Sequence, residues 1–484
     1  MTAGLKGIVF LTLLTVKAFS VIYLAYLGKC SSNAPFYGIA CMAGDTESYL
    51  APIENYIEEG SYYYKTAKAG RMPYYGLIYF PFRVLFSKTI ALNILVVLQI
   101  AVDALAMYYL ALLCEKIFGK KGFVLFILLA CVSLNVTSYD YYLIPETFGI
   151  GFSCIFSYQY YIYLSSNRTK KQLLIAGTFL GLAVLFKPYL SLLYGIIVAE
   201  LFLYFIRKDN FVVSIKKTAA HGILFVIPLL MLNLPWTVRN YIIFKQFIPF
   251  QQNIYAGYDY TNANLSVRKF IQSIGESFIF WDKYSAGCYF EPRENLPCEY
   301  KIPQRILGPN LTIEKIEKAR EVYLQYQKTP NDSLERIVVQ KFDELTQMYK
   351  KDHPVFSTLG VPLMLIKKFL IHSGSYYLPI RKDFKCYKSY QFYLKISQSL
   401  LYYLCLTFGW LGTIVLLYKH RESFIIFTFP VFLCLLFPVF LRLTEYRYFH
   451  MAYPYLLVGL VQMFLLTVKF FEKELNRGQR TNFA

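Results

Sequence analysis

Charge is scarce in this chain. Lys, Arg, Asp and Glu make up 17% of its 484 residues, where a typical soluble domain carries about 25%, and that shortfall excludes a globule surrounded by water. Histidine occurs 5 times, and none of the 10 cysteines falls in a Cys-x-x-Cys or Cys/His spacing suited to zinc. No structural metal site is therefore written in the sequence. Also missing is the apolar–polar alternation of a membrane barrel, and no internal repeat of the kind that builds many transporters is visible. The first apolar run, residues 7–27, has no small-residue cleavage site after it, so it reads as an anchor and not as a removable signal.

What the chain does have is apolar surface: 56% of residues are hydrophobic and 19% aromatic, with a mean hydropathy of +0.39. Runs of about 20 apolar residues recur along it, each long enough as a helix to cross a hydrocarbon core of about 30 Å. The expectation is an all-α polytopic membrane protein with ten crossings, near residues 7–27, 91–114, 122–138, 142–164, 172–186, 189–206, 218–236, 392–418, 423–441 and 449–471. The net charge of +20 does not point to nucleic acid, because much of the surplus lies in the short connections 114–121, 166–171, 207–217 and 419–421 and in the tail 469–480. Basic residues gather in such loops on the cytoplasmic side. That orientation puts both termini in the cytoplasm. It also carries Asp45, residues 140–146, Lys187, Arg239 and residues 445–447 to the outer face. Residues 73–86 and 361–372 are short and carry Arg83 and Lys367-Lys368, so they read as interfacial or re-entrant. Either one spanning would reverse the parity downstream.

Three regions follow: a transmembrane catalytic module over 1–250, with a first outer loop at 28–90; an extracytoplasmic insert with an interfacial helix over 251–375; and C-terminal transmembrane helices with a cytoplasmic tail over 376–484. Within the insert, "IEKIEKAREVYLQYQ" and "SLERIVVQKFDELTQMYKK" repeat apolar residues three and four apart, which predicts two helices. Cys288 and Cys298 share one polar loop, and Cys30 and Cys41 flank one short segment. In an oxidising compartment each pair is a candidate disulfide; otherwise these are free thiols.

A charge near the bilayer is costly unless it is solvated, snorkels to headgroups or works. Asp45 and Glu47 follow the first crossing, Glu146 opens the fourth, Lys187 ends the fifth, Arg239 ends the seventh and Arg447 begins the last, so acidic and basic groups from distant positions share one depth. At mid-membrane, Lys17 and Asp103 lie roughly 15 to 18 Å from the outer ends of the first two crossings at about 1.5 Å per residue. They are expected to pair, either as a structural bridge between helices or as part of a proton or ion path.

The segments that carry these charges resemble a known family. "GDTESYLAPIENYIEEGSYY" followed by "AGRMPYYGLIYFPF" is similar to the first outer loop of GT-C superfamily glycosyltransferases, in the family of protein O-mannosyltransferases and lipid A aminoarabinose transferases (glycosyltransferase family 39-like). "LIPETFGIGF", "AGTFLGLAVLFKP", "LPWTVRNYIIFKQFIPF" and "EYRYFHMAYPYLL" resemble its later segments in order. Met72 departs from the family's basic-Pro pattern, which weakens the assignment of Arg71.

The resemblance implies a GT-C-like helix bundle in the plasma (inner) membrane and a polyprenyl-phosphate-linked sugar donor. It further implies transfer to an extracytoplasmic acceptor, whether lipid, glycan or protein. Asp45 matches the catalytic Asp. Glu146 and Glu47 are the further candidate acids, with a helix-start role open for Glu146. Arg71, Lys187, Arg239 and Arg447 are candidates for the donor phosphate, and Tyr49 and Tyr448 line the site. Pro235-Trp236 reads as an interfacial anchor. A divalent metal on Asp45 and Glu47 is open and is not required by the sequence. A carrier or flippase of lipid-linked glycans, and a glycan polymerase or ligase, are the competing functions.

Overall fold

The computed structural model describes residues 2–31, 34–166, 168–251, 254–255, 258–259, 261–293, 296–374, 378–379 and 389–481. The protein is an all-α polytopic membrane protein, 77% helical, and seven helices among the described residues are long and apolar enough to cross a bilayer. They are Gly4–Lys29, Lys88–Phe118, Pro188–Ile206, Phe211–Phe244, Tyr390–Lys419, Arg421–Leu441 and Tyr453–Lys473.

The other three expected crossings are helices of a different kind. α5 (Lys120–Val132) has 13 residues and α8 (Lys170–Phe186) has 17, about 20 and 26 Å of rise. α7 (Glu146–Ser165) is long enough, yet 15 of its 20 residues are buried against protein. A helix walled in by other helices has no need of a lipid-like surface, and α7 accordingly carries Ser153 and Ser157, the latter hydrogen-bonded to the Tyr455 hydroxyl at 2.9 Å. The two interfacial segments form α3 (Tyr74–Leu85, 12 residues) and α15 (Val361–Leu370, 10 residues). At about 18 Å of rise for α3, and about 23 Å for α15 with the π-helical turn Phe356–Gly360 that leads into it, neither reaches across a core of about 30 Å.

The chain divides into two compact units. The first, Met1–Gln252 with Ser373–Pro430 and His450–Ala484, contains α1 (Ala3–Ser31), the short hairpin of β1 (Phe36–Tyr37) and β2 (Ala40–Cys41), α2 (Thr46–Glu59), α3, α4 (Lys88–Phe118), α5, α6 (Leu134–Thr137), α7, α8, α9 (Leu192–Ile206) and α10 (Phe211–Phe244). Later helices complete it, including α17 (Trp410–Lys419) and α20 (Tyr453–Thr481). These two cross closely enough that a Cβ on Gly412 would strike the Gly459 carbonyl. Contact between backbones at small residues is how helices associate where lipid supplies no hydrophobic drive.

The second unit, Asn253–His372 with Val431–Phe449, takes in a stretch of chain from far downstream. Its core gathers Phe270, Phe290, Tyr323, Phe342 and Tyr349 from α11 (Asn262–Ser273), α12 (Ala286–Phe290), α13 (Ile313–Lys328) and α14 (Asp332–Asp352). α13 and α14 are the two helices expected from periodicity. Asn331 caps α14 by accepting from the Leu334 N–H at 2.9 Å. Cys288 and Cys298 form a disulfide across a polar loop. Cys41, in the first unit, is a buried free thiol.

Candidate active site

The first outer loop assembles around Thr46. Its hydroxyl accepts from the Ala43 N–H at 2.8 Å and donates to the Leu143 carbonyl at 2.9 Å, which pins the start of α2 to the segment ahead of α7. Asp45 sits at the N-cap of α2, but its carboxylate does not cap the helix. It faces Arg71 instead, Oδ1 to Nη2 at 3.4 Å, with 31% and 21% of the two side chains exposed. Arg71 Nε donates to Ser48 Oγ at 3.0 Å, Ser48 donates to the Asp45 carbonyl at 2.7 Å, and the guanidinium lies 4.6 Å over the Tyr49 ring. Glu47, in the first turn of α2, accepts from the exposed Tyr64 hydroxyl at 3.3 Å.

Arg239 comes to this neighbourhood from the end of α10, and its donors go to protein. They reach the carbonyls of Lys68 at 2.8 Å and Tyr62 at 3.2 Å, and Asn240 Oδ1 at 2.9 Å. Its plane rests 4.7 Å from the Trp236 ring. Expected as a phosphate ligand, Arg239 here fastens the loop between α2 and α3. Tyr62 links the two arginines, since its hydroxyl donates to the Arg71 carbonyl at 3.2 Å. Burial pushes the Tyr62 phenol up, and the Arg239 and Arg71 charges pull it back in part. Trp236, read as an interfacial anchor, donates its indole N–H to the Phe250 carbonyl and is buried.

Glu146 and Lys187 meet in a drier place. Glu146 starts α7 after Pro145, Lys187 ends α8 before Pro188, and their ion pair closes at 2.6 Å with 2% and 6% of the side chains exposed. A Cβ on Gly149 would stand 2.7 Å from Lys187 Cγ, so the glycine one turn along α7 admits the lysine stem. Aromatic rings connect the two pairs: Tyr49 meets Tyr75 with centroids 5.8 Å apart, and Tyr75 meets Phe148 at 6.0 Å. Tyr75 is buried, donates to Gln99 Oε1 at 2.7 Å, and feels the Glu146 charge.

The pair expected between Lys17 and Asp103 forms as well. Lys17 Nζ lies 2.9 Å from Asp103 Oδ2, with 2% and 1% of the side chains exposed.

Arg447 and Tyr448 belong to the second unit. Arg447 Nε pairs with Glu445 at 2.7 Å, and Tyr448 stacks on Phe437 at 4.0 Å. For a metal, Asp45 and Glu47 are the candidate ligands. One faces Arg71 and the other Tyr64, and no group of three or more His, Cys, Asp or Glu side chains gathers among the described residues.

Sequence reasoning missed Ser48, Tyr62, Tyr64 and Tyr75. Their roles run through hydroxyls and backbone carbonyls, which leave no spacing signal. The Trp236–Arg239 stack was missed as well, although a spacing of three puts both residues on one face of α10.

Comparison with known proteins adds one segment. Residues 77–236 match the family described as dolichyl-phosphate-mannose-protein mannosyltransferase. That stretch contains Glu146, Lys187 and Trp236; Asp45, Arg71 and Arg239 lie outside it. No curated protein sequence matches the chain. Among solved structures, an oligosaccharyltransferase from Archaeoglobus fulgidus, crystallised with zinc and sulfate, aligns at 13% identity and a TM-score of 0.45 over 94% of this chain. This chain spans 50% of that protein's length. Through residues 77–236 the chain is similar to the membrane glycosyltransferases of the GT-C superfamily.

Proposed function

We propose that the protein is a membrane glycosyltransferase that moves a sugar from a polyprenyl-phosphate donor to an acceptor on the extracytoplasmic side. The observation that carries this reading is the Asp45–Arg71 pair, a carboxylate and a guanidinium in contact yet both open to solvent. An acceptor hydroxyl attacks the anomeric carbon, Asp45 takes its proton, and the bond from that carbon to the phosphate oxygen breaks with its electrons leaving on the lipid phosphate. Arg71 faces the charge that develops there, and its planar fork suits a phosphate. A single displacement inverts the anomeric centre. The family match supports the reaction class. The Cys288–Cys298 disulfide supports an oxidising compartment for the second unit, and the basic loops support the opposite side as cytoplasmic.

Incubating the purified protein with polyprenyl-phosphate sugars and an acceptor extract, and measuring release of lipid phosphate, tests the reading. Release that disappears in Asp45→Asn supports it. Lipid movement in liposomes with no release from any donor would make the protein a carrier.

A further inference from the structure

A buried knot of charge lies one residue from Glu146 and takes no part in the chemistry above. Lys17 of α1 contacts Asp103 of α4 through Oδ2 and also donates to Thr137 Oγ1 at 2.6 Å. Thr137 directs its own hydroxyl to that same Asp103 oxygen at 3.4 Å. From the other side, the Thr147 hydroxyl in the first turn of α7 donates to Asp140 Oδ1 at 2.8 Å. All five side chains are buried, with Asp140 at 0% exposure. One cation therefore serves two carboxyl groups.

The oxygens left over settle where a proton belongs. Asp103 Oδ2 and Asp140 Oδ1 are taken; Asp103 Oδ1 and Asp140 Oδ2 are buried and have no other hydrogen-bond partner among the described residues. The two side chains are hydrogen-bond neighbours. Two carboxylates only accept, so they repel; one proton between them turns the repulsion into a charge-assisted bond. Asp103 has the ammonium of Lys17 in contact and keeps its charge. Asp140 is held well above the ordinary carboxylate range, by burial first and by the Asp103 charge second, with Lys17 and the Thr147 hydroxyl acting weakly the other way. Two thiols are also close by: Cys131 feels the Lys17 charge and Cys154 the Asp103 charge.

We propose that Asp140 is a positioning residue that stands as a neutral carboxylic acid, donating its proton to Asp103 and accepting from Thr147. In that state it ties α1, α4, α6 and the first turn of α7 at one point. Glu146 leaves α7 in that same turn, so the acid fixes the place from which Glu146 reaches Lys187. Neutrality also balances the buried charges, Lys17 against Asp103 and Lys187 against Glu146. An ionised Asp140 would leave one negative charge unmatched in a dry site.

The inference stands apart from the transfer reaction and is tested without it. Infrared spectra of the full-length protein in an ester-free detergent at neutral pH are expected to contain a carboxylic-acid carbonyl band that shifts in deuterated water and is lost in Asp140→Asn. That variant is expected to elute as a single species and to melt at or above the wild-type midpoint, because an amide both donates to Asp103 and accepts from Thr147 and has no proton to lose on unfolding. Asp140→Ala strands both partners and should melt lower. No such band in the wild type, its persistence in Asp140→Asn, or an Asp140→Asn protein as damaged as Asp140→Ala would each overturn the assignment.

Discussion

The two ion pairs of the first unit are built from the same kinds of group and behave as opposites. Asp45 and Arg71 stand 3.4 Å apart with a fifth to a third of each side chain exposed; Glu146 and Lys187 close to 2.6 Å in a site that excludes water. A solvent-exposed pair is worth about 0 to 1 kcal/mol, so its members exchange partners at little cost. Removing one member of a buried pair costs about 3 to 5 kcal/mol, because the other charge is left alone. The open pair is thus suited to receive a donor phosphate and an acceptor proton. The closed pair is suited to lock α7 to α8, a different office from the one expected for Glu146 and Lys187 as separate catalytic and phosphate-binding groups.

Mutations separate the two roles, and the largest effect is expected at the open pair. Asp45→Asn should lower transfer by about 10² to 10⁴-fold, the range of general-base catalysis, while elution and melting stay at wild-type values. Full activity in that variant would remove Asp45 from the reaction. Next comes the closed pair: Glu146→Gln leaves Lys187 buried without its carboxylate and should cost about 3 to 5 kcal/mol of stability, read as a lower melting midpoint. A Glu146→Gln protein that melts normally but transfers nothing would invert the comparison and make Glu146 catalytic.

The knot beside the closed pair sharpens the contrast through pH. Folded Asp140 holds a proton that the unfolded chain releases above the ordinary carboxylate range, so its contribution to stability is complete at low pH. It is lost as pH rises, at up to about 1.4 kcal/mol per pH unit, until the folded group ionises. Melting scans across pH should show that slope in the wild type and a flatter line in Asp140→Asn. A smaller change is expected from Arg71→Lys, which keeps the charge but gives up the fork and the stack on Tyr49, a contact worth about 0.5 to 1 kcal/mol at an exposed site. Donor titrations should show it as a modestly lower maximal rate together with a weaker apparent affinity. Least of all, Glu47→Gln should stay within about 0.5 kcal/mol of wild-type stability, because Glu47 is exposed and its hydrogen bond from the Tyr64 hydroxyl lies at the surface.

Much of this arrangement was legible before any coordinates. Hydropathy located the helices because lipid demands long apolar runs, and counting residues at a fixed rise put Lys17 and Asp103 at one depth. Periodicity found α13 and α14, which bury one face each. The three remaining runs differ from the seven long apolar helices for separate reasons: α7 is buried by protein along most of its length, while α5 and α8 are apolar but short, at 13 and 17 residues. The signal failed at Asp140, which lies in a tyrosine-rich connection with no period to give its depth. Arg239 was missed as a loop fastener since its partners are backbone carbonyls, which every residue possesses. Residues 431–449 join the second unit through contacts that no local pattern announces.

Tyr62 gives its carbonyl to Arg239 and its hydroxyl to the Arg71 carbonyl, so the chain between α2 and α3 is a strap buckled at both ends. The buckle at Arg71 grips its backbone and not its guanidinium, so one residue is both a fixed point of the loop and the bearer of the side chain that faces Asp45.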